Sequence, residues 1–548
     1  MTDAVNSHED TPTEERQALR DLDEFAMIAN RDVYTDPAKA VAFMSVLIDD
    51  TVKRQYRSPT VAPILINMTS ALINAGMVLD DHEALAEAEN VLVDLIANAP
   101  EEAHWKCRAQ YNLANATDHA ADLRIQTLLE GLADDKKLLA FYHARSAERV
   151  ALRTARFNFA AAAKDNSVDQ QTRALTNLAN MLSTSGRWLE AYEKYAHAVR
   201  ADPTNGNAAG NAAFCLLRAI GANLGPLGHL AAVYEKYRQI AQSNRERTIE
   251  LAGPEVADRW DRLAHIESQG HLSHSASDDP YVQWVASERL ALTPVMDGLG
   301  SDTERFDTVN VDTLIDSTGG PGLPSIFAAA NVLKADYLAA RSTAYRGLTM
   351  ISDLADGLAL HPADTGTYTD TLDYAVYGEP VSLVNLGARA ALDVLDKIAV
   401  TLNEYLLVGD DAGRVDFRTF WRDKKVKQNP SQGIREVLWR DGVDGSRLLA
   451  LVELADDMDT QGLYAQAHAI RNRSTHRLVR AKRFRAEGVT NTALSTLDLE
   501  ALRAGCLESL RVARVALLYF YAFVAATEQQ KSDARGGVIV PQIIPDLR

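Results

Sequence analysis

Apolar residues recur every three to four positions along most of the 548-residue chain, the spacing of helix after helix. From about residue 21 to 220 the pattern also repeats. Asn177-Leu178-Ala179-Asn180-Met181-Leu182 leads to Gly186, Ala191, Tyr195, Ala198 and Pro203. Asn112-Leu113-Ala114-Asn115 lies two periods earlier, for a unit of about 34 residues. Asn67-Met68-Thr69-Ser70-Ala71-Leu72, followed by Gly76, is a weaker third copy. Small residues at these offsets let two antiparallel helices approach, and the proline stops the second. Residues 221–325 are less regular, with a helical stretch to about 268, a Ser/His/Asp loop over 271–280, then Tyr281-Val282-Gln283-Trp284 and a turn-rich segment. Helical periodicity returns over 326–361 and over 381–408, where Leu383, Leu386, Ala390, Leu395, Ile398 and Leu402 mark it. It resumes at about 446–480 and again at about 496–529, where Ser495-Thr496-Leu497-Asp498 reads as a capping signal. Residues 1–20 read as a disordered tail, and 537–545 as a short strand or extended arm. The predicted fold class is all-α: helical repeats over 21–220, a connecting region over 221–325, and a helical bundle over 326–548.

Composition supports this picture and narrows the setting. Hydrophobic residues make up 47% of the chain and aromatics 7%, with alanine and leucine dominant, which favours helix. The length predicts two to three domains. Cys107, Cys215 and Cys506 are an odd number, far apart and without a CxxC pair, so disulfides and zinc ribbons are not expected and a reducing cytoplasm is. The polar, acidic N-terminus has no signal-peptide pattern. The most apolar stretch, Val515–Thr527, follows Arg511 and Arg514 and is shorter than the roughly 20 residues a bilayer span needs. It is predicted to be a buried core helix, and no membrane association is expected. A formal charge of −18 argues against indiscriminate nucleic-acid coating, so a local basic patch stands out.

That patch begins at Arg471-Asn472-Arg473-Ser474-Thr475-His476 and continues through Arg477, Arg480, Lys482, Arg483 and Arg485, with no acid until Glu487. A histidine moves protons near neutral pH, and an arginine grips two phosphate oxygens at once. Those are the groups needed to cut RNA without a metal: proton transfer from the attacking 2′-hydroxyl and to the leaving oxygen, and a cation for the pentavalent phosphorane. Arg471 and His476 are therefore the candidate catalytic residues, with Asn472 as an orienting or substrate-contacting residue. Arg473, Arg477, Arg480, Lys482 and Arg483 are the candidate RNA contacts. If the helix continues, Arg473 and Arg480 flank the imidazole of His476 on one face. A solvated basic helix face carrying one histidine is the alternative.

Other motifs compete less well. Arg259-Trp260-Asp261-Arg262-Leu263-Ala264-His265 has a similar Arg/His spacing but lacks the asparagine and sits among acids. His265, His271 and His274 near Asp278 and Asp279 suggest a metal site, yet they fall in a loop without a helix-borne HExxH. Thr318-Gly319-Gly320-Pro321-Gly322 lacks the Gly-Lys-Ser/Thr of a phosphate loop and reads as a linker turn. No metal or other cofactor is expected.

The copy at 172–205 resembles the tetratricopeptide repeat. The resemblance implies a curved solenoid with a concave partner-binding face, on which Asn180 and Asn211 occupy groove positions. A plain scaffold is the alternative. The region from about 280 to 548 resembles the HEPN superfamily (higher eukaryotes and prokaryotes nucleotide-binding), in the bacterial branch where it follows such repeats. The carriers are Arg471-Asn472-x-x-x-His476, Leu395-Asp396-Lys397-Ile398-Ala399, the terminal apolar helix, Tyr281-x-x-Trp284 and Ala340-Arg341. This resemblance implies a helical bundle that homodimerises, bringing two Arg–His motifs into one composite site. It implies metal-independent cleavage of RNA to 2′,3′-cyclic phosphate ends, in a toxin or anti-phage effector; the repeat domain is expected to regulate it and to hold a protein or peptide partner on its concave face. For Asp396 and Lys397, a helix-packing ion pair is an equal explanation. A non-catalytic adaptor that dimerises and binds protein, RNA or nucleotide is the alternative function.

Overall fold

The computed structural model describes residues 13–54, 61–100, 102–222, 224–267, 272–273, 275–311, 325–354, 361–422, 434–439, 445–476, 478–483 and 494–535. The chain divides into two compact units, at Leu178/Ala179.

The first unit is built from α1 (Thr13–Asp32), α2 (Pro37–Arg54), α3 (Val61–Leu79), α4 (His82–Ala97), α5 (Lys106–Leu129), α6 (Asp134–Ala147), α7 (Arg149–Ala162) and the first part of α8 (Val168–Thr184). The helix α1 begins inside the segment read as a disordered tail, because Leu19, Leu22, Ala26 and Ala29 form a buried stripe against α3. Alanines let these helices approach: Ala71, Ala84, Ala88, Ala109 and Ala116 are buried together with Leu72, Leu85 and Leu92. The repeated asparagines bridge neighbouring helices. Asn112 donates to the Ile66 carbonyl (3.2 Å), and Asn177 donates to Asn115 Oδ1 (3.0 Å) and Tyr111 Oη (3.2 Å). Buried amides need such partners, so at these positions the asparagines serve packing. The helix pairs are consistent with the repeat reading.

The second unit opens with the end of α8 and continues through α9 (Trp188–Ala201), α10 (Gly206–Gly221), α11 (Leu227–Ser243), α12 (Arg245–Ala252), α13 (Pro254–Asp261) and α14 (Pro280–Ser287). Then come α15 (Ser325–Ser352), β1 (Ala375–Val376), α16 (Glu379–Tyr405), α17 (Gly445–Asp456), α18 (Ala465–His476), β2 (Leu478–Lys482), β3 (Leu494–Asp498) and α19 (Leu499–Arg535). The long helices α15 and α16 pack closely because each offers a glycine to the other. A Cβ at Gly347 would fall 2.7 Å from the Val384 nitrogen, and one at Gly387 2.7 Å from the Ala344 nitrogen. Both α3 and α19 are long and apolar enough to cross a membrane, but 83% of the apolar window of α19 is buried in the fold. The Val515–Thr527 stretch therefore lies in a core helix as expected, on the ground of its burial rather than its length. Its start differs slightly from expectation: the Asp498 carboxylate accepts from the Ala501 amide (2.6 Å), so the cap is Asp498.

Two features depart from the sequence reading. A small sheet interrupts the helices, with β2 between β1 (antiparallel) and β3 (parallel). The boundary expected at 220 is also not where the compact units divide. The turn joining α8 and α9 is built into the C-terminal helices by a buried charge cluster. Arg187, fully buried, donates through Nε and Nη2 to Glu190 (2.8 and 2.5 Å) and through Nη1 to Asp457. Tyr519 donates to Glu190 Oε2 (2.9 Å) and Tyr464 to Glu190 Oε1, while Ser185 donates to Glu453 (2.6 Å). Gly186, at φ +74°, lets the Ser446 carbonyl approach to 2.5 Å from where a Cβ would sit.

Candidate RNA-cleavage site

The candidate catalytic residues lie on α18. This short helix is fixed on its apolar side by Ala467 and Ile470, both buried, with Gly505 of α19 leaving room for Ile470. Glu508 accepts from the Ala467 amide (2.6 Å), placing a carboxylate at the positive helix end. Just before the helix, Tyr464 is tied into the Arg187 cluster through Glu190.

Arg471 projects from α18 onto α16. Its Nη2 donates to Asp396 Oδ2 (2.6 Å), and both side chains remain about one-quarter exposed. The other Asp396 oxygen accepts from the Phe417 amide (2.9 Å). Burial raises the Asp396 carboxyl above its usual range, opposed by the Phe417 amide and the Arg471 charge. A guanidinium carries five donor hydrogens, so one bond to Asp396 orients Arg471 and leaves N–H groups for a phosphate. Lys397 forms a separate pair with Asp336 of α15 (2.6 Å). Both Lys397 and Asp396 thus make ion pairs between helices, and the partner of Asp396 is the candidate residue Arg471.

His476 is the last residue of α18, and an α-helix advances 100° and 1.5 Å per residue. Position 476 is thus turned about 140° from position 471 and lies roughly 7.5 Å further along the axis. The side chains of Asn472, Arg473 and His476, and all of Arg477, lie outside the described residues, as does the 537–545 arm. Arg480 does not continue the helix as expected, because residues 478–482 pair with β3. Strand alternation then directs Arg480 and Lys482 to the same side, where both meet Asp373 (2.6 and 3.1 Å). Arg480 also donates to Thr496 (3.2 Å), and the Arg483 amide donates to the Tyr374 carbonyl (3.1 Å).

Two residues near Arg471 were not anticipated. His468 lies one turn earlier on α18, 6% exposed, with Nδ1 3.5 Å from Arg418 Nη1. Burial, then the Arg418 charge, lowers its pKa. The i, i+3 spacing of His468 and Arg471 was visible in the sequence, but the proximity of Arg418 required the fold. The carriers Tyr281, Trp284 and Arg341 do converge. Arg341 donates to Tyr281 Oη (3.0 Å) and forms a two-bond pair with Asp307 (2.9 and 2.8 Å), and Tyr281 stacks near Trp284. This cluster ties α15 to the preceding loop.

Residues 317–527 match the family model described as LA2681-like HEPN. The C-terminal region carries a HEPN-superfamily domain. The matched segment contains Asp396, Arg471, Asn472 and His476. No curated protein and no solved structure matches the chain.

Away from this domain, Asn180 and Asn211 line one pocket of about 340 Å3 together with Ser183, Tyr195, Phe214, Arg259 and Trp260. Arg259, dismissed above as part of a chance Arg/His spacing, thus has a place of its own. Its sequence neighbour His265 is 3.0 Å from Glu235. His271 and His274 lie outside the described residues.

Proposed function

We propose that the protein is a metal-independent RNA endonuclease acting as a toxin or anti-phage effector. The supporting observation is Arg471, inside the HEPN-matched segment, held by Asp396 on a partly exposed face with donors to spare. In this reading, a base takes the proton of the RNA 2′-hydroxyl and the 2′-oxygen attacks the adjacent phosphorus. The P–O5′ bond breaks, the 5′-oxygen is protonated, and a 2′,3′-cyclic phosphate remains. Arg471 stabilises the extra charge on the phosphorane oxygens, and His476 transfers a proton. In this reading two copies complete the site, with Arg471 of one subunit beside His476 of the other.

The test incubates wild-type, Arg471→Ala and His476→Ala protein with mixed tRNA and mRNA in excess EDTA. Cleavage to cyclic-phosphate ends by wild type alone is expected, and a folded His476→Ala variant that still cuts would sink the assignment. A non-catalytic adaptor is the second reading. It is favoured by Asp373, which engages two of the proposed RNA contacts, Arg480 and Lys482. No cleavage by wild type, together with RNA binding or a partner on the repeats, would select it.

A further inference from the structure

The pocket formed by α8, α9, α10 and α13 holds hydrogen-bonding groups that the fold leaves unused. Asn180 Oδ1 accepts from Tyr195 Oη (2.6 Å), which orients the amide and leaves its Nδ2 hydrogens open. Asn211 Nδ2 donates to Asn207 O and Oδ1 (3.1 and 3.2 Å), leaving Asn211 Oδ1 open. Trp260 is 2% exposed, and its indole N–H is buried without an acceptor. Leaving a buried donor unpaired is costly, so its retention beside a cavity is informative. Gly210 is what admits that ring, since a Cβ there would fall on the indole. Arg259 is exposed, lies over Trp260 (5.7 Å) and meets no carboxylate among the described residues. Phe214, 43% exposed, lies beside Arg218, whose guanidinium is 5.0 Å from the ring centroid.

The open groups are thus one cation, one neutral donor and one acceptor around a partly exposed aromatic ring, with the buried Trp260 N–H beside them. A complementary ligand is anionic, mostly accepting, and flat at one end. We propose that this pocket binds a nucleoside monophosphate. Arg259 takes the phosphate, Phe214 takes the base face, and the Asn180 and Asn211 amides meet a donor–acceptor base edge. The volume, about 340 Å3, is at the small end of small-ligand pockets. The site lies outside the HEPN-matched segment and stands independently of the nuclease reading.

The experiment is isothermal titration of the full-length protein with AMP, GMP, CMP and UMP. Adenosine, inorganic phosphate and a peptide with an acidic C-terminus are separate arms. At least one mononucleotide should saturate with a Kd of about 0.1 mM or tighter. Adenosine and phosphate alone should bind at least about tenfold more weakly, because each meets only part of the site. Arg259→Ala and Asn180→Ala should each weaken nucleotide binding by about tenfold or more, and both positions are exposed, so folding should survive. Phe214→Ala is a further variant whose loss of binding would report the stacked base. His476→Ala should bind as wild type does. The proposal is overturned by no saturable mononucleotide binding up to about 1 mM. It is also overturned by binding that ignores Arg259 and Asn180, by binding lost with His476→Ala, or by a preference for the peptide.

Discussion

Replacing Arg187 with alanine tests whether the α8–α9 turn is locked to the C-terminal helices by charge. The guanidinium is fully buried and bonded to Glu190 and Asp457, which are 5% and 0% exposed. Burial alone would raise the Glu190 carboxyl, but the Arg187 charge and the bonds from Arg187, Tyr464 and Tyr519 hold it below its usual range. Removing the cation leaves two buried carboxylates without their counter-charge. Breaking a buried pair from one side costs about 3–5 kcal/mol. For a unit of about 370 residues, an unfolding entropy of about 2.1 cal/mol/K per residue sums to about 0.8 kcal/mol/K. A loss of about 4 kcal/mol therefore lowers the melting temperature of this unit by about 5 °C. Differential scanning calorimetry reads the shift. Adding Asp457→Asn to Arg187→Met should recover part of the loss, because the penalty is one of uncompensated charge. A shift below about 1 °C for Arg187→Ala would refute the reasoning. So would a second substitution that deepens the loss.

Three further outcomes follow. Asp396→Asn keeps the shape but removes the charge beside Arg471; if the nuclease reading holds, the RNA-cleavage kcat should fall about tenfold or more while the Tm moves little, and unchanged kcat would remove Asp396 from the site. Gly186→Ala forces a side chain into φ +74° against the Ser446 carbonyl and should cost about 1–3 kcal/mol in urea unfolding; a neutral result would mean that the turn relaxes. His229 is 2% exposed and its pKa is lowered to about 4, first by burial and then by Arg305. The unfolded imidazole takes up a proton at about pH 6.5 and the folded one does not until about pH 4, so stability should fall as pH drops through that window. His229→Gln should flatten the decline between pH 6.5 and 4, and an unchanged slope would point to other groups.

Much of the architecture follows from the sequence alone. Three-to-four-residue periodicity marks helices because one helical face must be apolar, and that depends only on spacing. The Val515–Thr527 stretch was legible as apolar core, and the Arg–Asn–x–x–x–His pattern lies in the family-matched domain. Tertiary structure decided the rest. Arg480 was read on a continuing helix, and both Arg480 and Lys482 as RNA contacts, yet strand pairing with β3 and the distant Asp373 gave them another geometry and an acidic partner. Asp396 and Lys397 are neighbours in sequence, yet their partners, Arg471 and Asp336, lie 75 and 61 residues away. Arg187 lay in a turn and showed nothing of its burial, because its partners Asp457, Tyr464 and Tyr519 come from far along the chain. Local spacing determines which helices form, whereas the partner of a charged side chain is set by contacts between remote segments, which exist only once the chain has folded.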